Sequence, residues 1–103
     1  MMTLDEVAEK IRMKFEFAPK IDAMVMFDFD DEGTLLYNGL VSPAVVTVGG
    51  MGEAKTTLRC SYETFLGFLN GTKSPDIAYM MGQLKIEGSL GLAMLLKERL
   101  ADE

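Results

Sequence analysis

The spacing of apolar residues changes along the chain, and it first predicts a helix. Apolar residues recur at the spacing of one helix face at Leu4, Val7, Ile11 and Phe15. Thr3 and Glu6 have the spacing of a capping box, in which each side chain binds a backbone N–H of the other residue. We therefore expect a helix that begins after Thr3, runs to about residue 16 and has ended by Pro19.

Between residues 21 and 60, alternating and β-branched segments predict four strands. Their expected ranges are 21–30, about 34–41, 45–48 and 55–60. Apolar residues occur on both faces of the first strand, which indicates cover on more than one side. The turns at 31–33 and at the glycine-rich segment 49–52 both predict hairpins.

The remaining third of the chain returns to helical spacing, apart from one strand. Ser61 and Ser74 are expected to cap two short helices, the first ended by Gly71. Residues 83–87 alternate and predict a half-exposed fifth strand, and residues 90–100 predict a last helix capped at Ser89. The order of elements predicts an α+β domain with a mostly antiparallel sheet.

The size and composition predict one domain over residues 1–103 and exclude most catalytic sets. The 103 residues are 49% hydrophobic and 25% charged, which is typical of one globular core. Histidine is absent, so the commonest general base and the commonest zinc ligand are both missing. A single cysteine, Cys60, excludes an internal disulfide and a thiolate-rich metal site. We expect no cofactor, no bound metal and no enzyme activity.

The charge balance argues against two classes of partner. Sixteen acidic and ten basic residues give a formal charge of −6, which disfavours nucleic acid and anionic membranes. No apolar run approaches the roughly 18 residues that a membrane span needs, so we expect no stable membrane insertion. The charged first sixteen residues do not resemble a secretory signal. A cytoplasmic location is the expectation.

Two segments partly match known ligand motifs but fit a simpler interpretation better. Residues 49–56 come within one residue of a phosphate-binding loop, yet Lys55 is followed by a strand pattern where the motif needs a helix. The acidic segment 28–33 resembles the start of a calcium loop, but the twelfth position is Gly39 where a glutamate is required. We interpret the first as a turn and the second as a solvated hairpin tip.

Flexible apolar side chains are unusually frequent. Nine methionines occur in 103 residues, and such side chains either fill a core or form adaptable apolar surfaces. The last helix is apolar around most of its circumference, so one sheet cannot bury all of it. Either a ligand cavity or a partner chain, with a homodimer as one possibility, is expected to cover the second face.

The second half of the chain resembles the sterol carrier protein 2 family of lipid-binding domains. The similar segments are Ser74-Pro75, Ala78-Tyr79 and, above all, the run GQLKIEGSLGLAM at residues 82–94. The family pattern there is Gly-Lys-Leu-Lys-Ile-x-Gly-x-x-x-x-Ala. Only residues from about 54 to 100 match specifically, while the first half agrees in its order of elements.

The resemblance implies a five-stranded sheet with one face covered by helices, enclosing an apolar tunnel for fatty acids, acyl thioesters, phospholipids or sterols. By this resemblance, the tunnel is lined by the first helix, the sheet and the last helix. The corresponding residues are Val7, Ile11, Phe15, Leu58, Cys60, Ile86, Leu92 and Leu96. Basic groups near the end of the first helix hold the lipid carboxylate in many members, and the local candidates are Arg12, Lys14 and Lys20.

Two departures from the family pattern bear on the ligand and on partners. Leu95 stands where a polar or basic residue is usual, which leaves room for a dimer interface. Met80 replaces a larger aromatic residue, which is expected to alter the shape of the tunnel. Taken together, the departures favour a linear acyl chain over a sterol. Two functions follow as hypotheses: a non-catalytic lipid carrier, or an accessory domain that dimerises or binds a lipid-metabolising enzyme.

Overall fold

A computed structural model describes residues 3–16 and 21–101 of the protein. Its helices are α1 (Leu4–Glu16), α2 (Tyr62–Asn70), α3 (Pro75–Met80) and α4 (Leu90–Ala101). Its strands are β1 (Met24–Asp28), β2 (Thr34–Asn38), β3 (Val45–Val48), β4 (Thr56–Cys60) and β5 (Leu84–Gly88). The α+β class expected from the sequence is therefore confirmed.

The helix starts follow the expected capping chemistry. The Thr3 backbone N–H donates to Glu6 Oε1 at 2.9 Å, and the Glu6 N–H donates to Thr3 Oγ1 at 3.2 Å. The Ser61 hydroxyl accepts from Thr64 N–H at the start of α2, and Ser89 accepts from Leu92 N–H at the start of α4. These bonds satisfy donors that have no partner inside the helix.

The five strands form one mixed sheet in the order β3-β2-β1-β4-β5. The β1–β2, β2–β3 and β4–β5 pairs are antiparallel, while β1 and β4 are parallel. The prediction of a mostly antiparallel sheet is confirmed. The expected hairpin at residues 49–52 is wrong, because β4 pairs with β1 and the chain must cross β2 and β1 to reach it.

One face of the sheet carries the main core. Register places Tyr37, Val25 and Thr56 side by side, and the next row on the same face is Leu35, Phe27, Leu58 and Ile86. The helices cover this face, with α1 packed over β3 and α4 packed over β4. Rings from α2 extend the core, since Phe65 lies 5.4 Å from the Phe27 ring centroid.

The opposite face is partly covered by the connection from β3 to β4. A Cβ built on Gly52 would lie 2.8 Å from the Met24 methyl, and one on Gly50 would lie 3.1 Å from Leu36 Cβ. This close approach explains the apolar residues on the second face of β1. Further along that face, Arg59 pairs with Asp28 at 3.1 Å and with Glu87 at 2.7 Å, joining three strands.

Candidate functional site

The apolar residues expected around a ligand lie together in the structure. Six of them are buried in one hydrophobic cluster: Val7, Ile11, Phe15, Leu58, Cys60 and Leu96. Ile86 and Leu92 are partly buried and pack against the same cluster. Helix α1, the sheet and helix α4 therefore contribute to one continuous apolar region.

Helix α4 has two different faces, as its sequence requires. Leu96 is fully buried and Leu92, one turn earlier, packs on the core. Leu95 is displaced from Leu96 by about 100° around the helix and is 37% exposed. Leu92 and Leu95 therefore lie on different faces of α4: Leu92 packs on the core and Leu95 is partly exposed to solvent.

Cys60 is a buried free thiol at the end of β4. Burial, with a smaller contribution from the charge of Asp30, raises the pKa of this thiol from 9.0 to about 12. The thiol therefore stays protonated near neutral pH, which removes its nucleophilic form. This environment makes Cys60 part of the apolar core and not a reactive group.

A cavity of about 270 Å³ opens beside the end of α1. Its lining residues come from α1 and from β2 and the connection that follows it: Arg12, Phe15, Glu16, Tyr37, Ser42, Pro43 and Ala44. The Phe15 and Tyr37 rings meet edge to face, with their centroids 5.2 Å apart. Since both rings also belong to the core cluster, the cavity lies directly against the apolar region.

The basic residues expected to bind a head group differ in their surroundings. Arg12 lines the cavity, but its guanidinium is paired with Glu9 on the exposed surface of α1. That hydrogen bond, together with the Glu9 charge, raises the pKa of Arg12. Lys14 lines a separate cavity with residues of α2 and α3, and Lys20 lies outside the described residues.

Two further polar residues of this region escaped the sequence interpretation. Tyr37 is buried and lines the cavity. Burial raises the pKa of its phenol, while a hydrogen bond with the Ile21 backbone and the nearby Arg99 charge oppose that shift. Within the described ranges, the buried Nη1 of Arg99 has no hydrogen-bond partner. The sequence contained one signal that could have identified Arg99. Leu92, Leu96 and Arg99 have helical spacing, which places all three on one side of α4.

The described residues show neither a metal-binding cluster nor a helix that could span a membrane. Over 3–16 and 21–101, no group of three or more Asp, Glu or Cys side chains is arranged to hold a metal ion. In the same part of the chain, no helix has the length and apolar character that a bilayer span needs.

Comparison with known proteins agrees with this architecture. The sequence model described as the SCP-2 sterol transfer family matches residues 6–101. The chain belongs to this family. The "Sterol carrier protein 2" of Gallus gallus is 26% identical over 102 residues. That match covers 93% of this chain but only 19% of the relative, so the chain spans about a fifth of its length.

Solved structures show the same SCP-2 fold. A sterol carrier protein domain 2 of Helicoverpa armigera superposes with a TM-score of 0.76 at 22% identity, covering 92% of this chain and 85% of that one. Sterol Carrier Protein-2 of Aedes aegypti, solved in complex with palmitate, gives a TM-score of 0.75 at 16% identity. The alignment covers 98% of this chain and 96% of the mosquito protein. At these identities the likeness establishes the fold.

Proposed function

We propose that this protein binds one lipid with a long acyl chain and carries it without chemical change. The observation that carries the proposal is the cavity beside Phe15 and Tyr37, which lies against the apolar core of an SCP-2 fold. The mosquito relative solved with palmitate supports a linear fatty acid as the ligand class.

The proposed acyl site uses side chains from three elements. Helix α1, the sheet and helix α4 would contribute Val7, Ile11, Phe15, Leu58, Cys60, Ile86, Leu92 and Leu96. The cavity volume of about 270 Å³ is slightly below the roughly 300–1,000 Å³ of small-molecule sites. An acyl chain that enters beside Phe15 must therefore separate α1 from the sheet to reach the deeper side chains. For contact with the lipid head group, the sequence suggests Arg12 and Lys20.

The expected affinity follows from burial of the acyl chain. About fifteen methylenes at roughly 0.8 kcal/mol each give a gross gain near 12 kcal/mol. Ordering of the chain, lost free motion and separation of packed side chains cost several kcal/mol. Micromolar affinity follows, because a Kd of about 1 μM corresponds to a net binding free energy of about −8 kcal/mol.

The proposal includes the absence of turnover. The sequence has no histidine to act as a base, and the pKa of about 12 keeps the Cys60 thiol protonated. We expect acyl thioesters to bind without hydrolysis above the uncatalysed rate. Hydrolysis that is lost in a single Tyr or Asp variant would overturn the carrier function.

The direct test is displacement of a fluorescent fatty-acid analogue by palmitate, with Phe15→Ala as the binding variant. Met13→Ala is the matched control, because Met13 lies on the same helix and is exposed. Palmitate should displace the probe from the native protein and from Met13→Ala with similar micromolar affinity, and bind Phe15→Ala more weakly. No saturable binding to folded native protein would refute lipid binding.

A second candidate function is an accessory domain that dimerises or binds a lipid-metabolising enzyme. Exposed apolar residues on α3 and α4 favour it, since Met80 is 83% exposed and Met94 and Leu95 also face solvent. Methionine-rich surfaces suit partners of varied shape. A stable dimer without lipid, measured by solution mass, would support this function over carriage.

The proposal treats residues 1–103 as a single lipid-binding domain that needs no cofactor. The core cluster that spans α1, the sheet and α4 supports a single domain. A cytoplasmic location, the expectation from the sequence, is also proposed.

A further inference from the structure

One buried nitrogen of the Arg99 guanidinium has no hydrogen-bond partner among the described residues. Arg99 is in the last turn of α4, three residues after the buried Leu96 and seven after Leu92. It therefore continues the row of side chains that faces the core. Its Nη1 atom is buried, and the described residues offer it no hydrogen-bond partner.

The surroundings of Arg99 connect it to the cavity. Its charge is close enough to the Tyr37 phenol to lower the pKa of that group, against the larger effect of burial. Tyr37 also lines the cavity and contacts the Phe15 ring. Tyr37 is therefore near both Arg99 and Phe15, and it lines the cavity.

An unpaired guanidinium nitrogen is unfavourable in such a place. A buried donor without a partner loses its hydration and gains nothing in return, and the loss is larger for a charged group. An incoming carboxylate can accept two parallel hydrogen bonds from a guanidinium. A fatty acid would therefore supply the acceptor that the core does not.

We propose that Arg99 binds the carboxylate of the acyl lipid, with Tyr37 between the head group and the cavity opening. This inference rests on the proposed lipid-binding function and specifies its head-group chemistry. Arg12 is less suited to the role, because its guanidinium already binds Glu9 at the surface. By contrast, the buried Nη1 of Arg99 has no hydrogen-bond partner among the described residues.

The test compares two ligands that share one chain length, palmitate and hexadecanol. Arg99→Gln should weaken palmitate binding about tenfold or more while changing hexadecanol binding less than about threefold. Arg99→Lys should recover part of the palmitate affinity, since it restores the charge but not the bidentate geometry. Lys85→Gln is the control, because Lys85 is an exposed cation on β5.

Each outcome separates this inference from the broader function. If neither ligand binds the native protein, lipid binding itself is refuted. If both bind but Arg99→Gln weakens them equally, lipid binding stands and the head-group role is wrong. If Arg12→Gln loses the preference for palmitate and Arg99→Gln keeps it, the carboxylate binds at the end of α1 and the role of Arg99 is wrong.

A measurement on the native sequence covers the case in which Arg99→Gln does not fold. Palmitate added to ¹⁵N-labelled protein should shift the guanidinium resonances of Arg99 and slow their proton exchange, whereas hexadecanol should not. An equal response to both ligands would overturn the proposal.

Discussion

The Lys97 ammonium lies 2.9 Å from Asp76 Oδ1 and so ties α4 to α3. The two partners differ sharply in environment, since the Lys97 side chain is 7% exposed and that of Asp76 is 76% exposed. The ammonium also lies over the Tyr79 ring, 4.9 Å from its centroid. A cation is thus held under the surface by one solvated carboxylate and one aromatic face.

We expect Asp76→Asn to destabilise the protein more than Lys97→Met does. Removing the Asp76 charge leaves a buried ammonium without its counter-charge. Because one partner of the pair is exposed, we expect the free energy of unfolding to fall by only about 1 kcal/mol. Lys97→Met keeps an apolar stem in the same space and leaves Asp76 in water. Urea unfolding of both variants measures the difference, and a larger loss for Lys97→Met would contradict it.

Substitutions on the two faces of α4 should separate ligand binding from surface contacts. Leu92→Lys should weaken fatty-acid binding strongly, because the charge would need a buried site. Leu95→Lys should leave folding and binding nearly unchanged, because its stem can lie on the surface with the ammonium in water. Fluorescent fatty-acid binding and solution mass are the measurements. Loss of binding in Leu95→Lys with binding retained in Leu92→Lys would reverse the assigned faces.

Cys60 should resist thiol reagents in the folded protein. The side chain is buried and its pKa of about 12 leaves very little thiolate at neutral pH. Labelling should be fast only after denaturant is added, with Ser61→Cys as the control because Ser61 is exposed one residue later. Labelling of native Cys60 at the rate of Ser61→Cys would show that β4 presents its opposite face to the core.

The same thiol predicts a loss of stability in base. Above about pH 9 the unfolded thiol ionises while the folded thiol keeps its proton, so rising pH favours unfolding. Between pH 8 and pH 10, the free energy of unfolding of the native protein should fall by about 1 kcal/mol more than that of Cys60→Ala. Urea unfolding at both pH values measures this. An identical decline in the two proteins would mean that Cys60 ionises freely when folded.

Local chemistry made several elements predictable from the sequence. The capping box at Thr3 and the β-branched run of β3 occur where expected, because both depend on neighbouring residues. The first strand was expected from residue 21 but begins at Met24, since a 2.9 Å bond from Ala23 N–H to the Ile21 carbonyl turns the chain first. The second ends at Asn38, whose side chain accepts from Leu40 N–H.

Contacts between distant segments account for what the sequence could not show. A Cβ on Gly39 would lie 1.7 Å from the Ile21 carbonyl oxygen, a close approach that ends β2 and that no local pattern reveals. The parallel pairing of β1 with β4 also depends on residues about thirty positions apart. The sequence left open whether the methionines fill the core or form an apolar surface, and the structure shows Met80, Met81 and Met94 exposed. The unpaired nitrogen of Arg99 likewise became visible only once the packing of α4 was known.

Native mass measurement of protein isolated directly from its cells tests the lipid-carrier account most directly. The account predicts a population heavier than the 11.4 kDa chain by the mass of one acyl lipid, which fragmentation identifies as a fatty acid or its ester. Palmitate should restore that 1:1 species after the lipid is stripped. An empty protein that forms a stable dimer and takes up no palmitate would contradict the account.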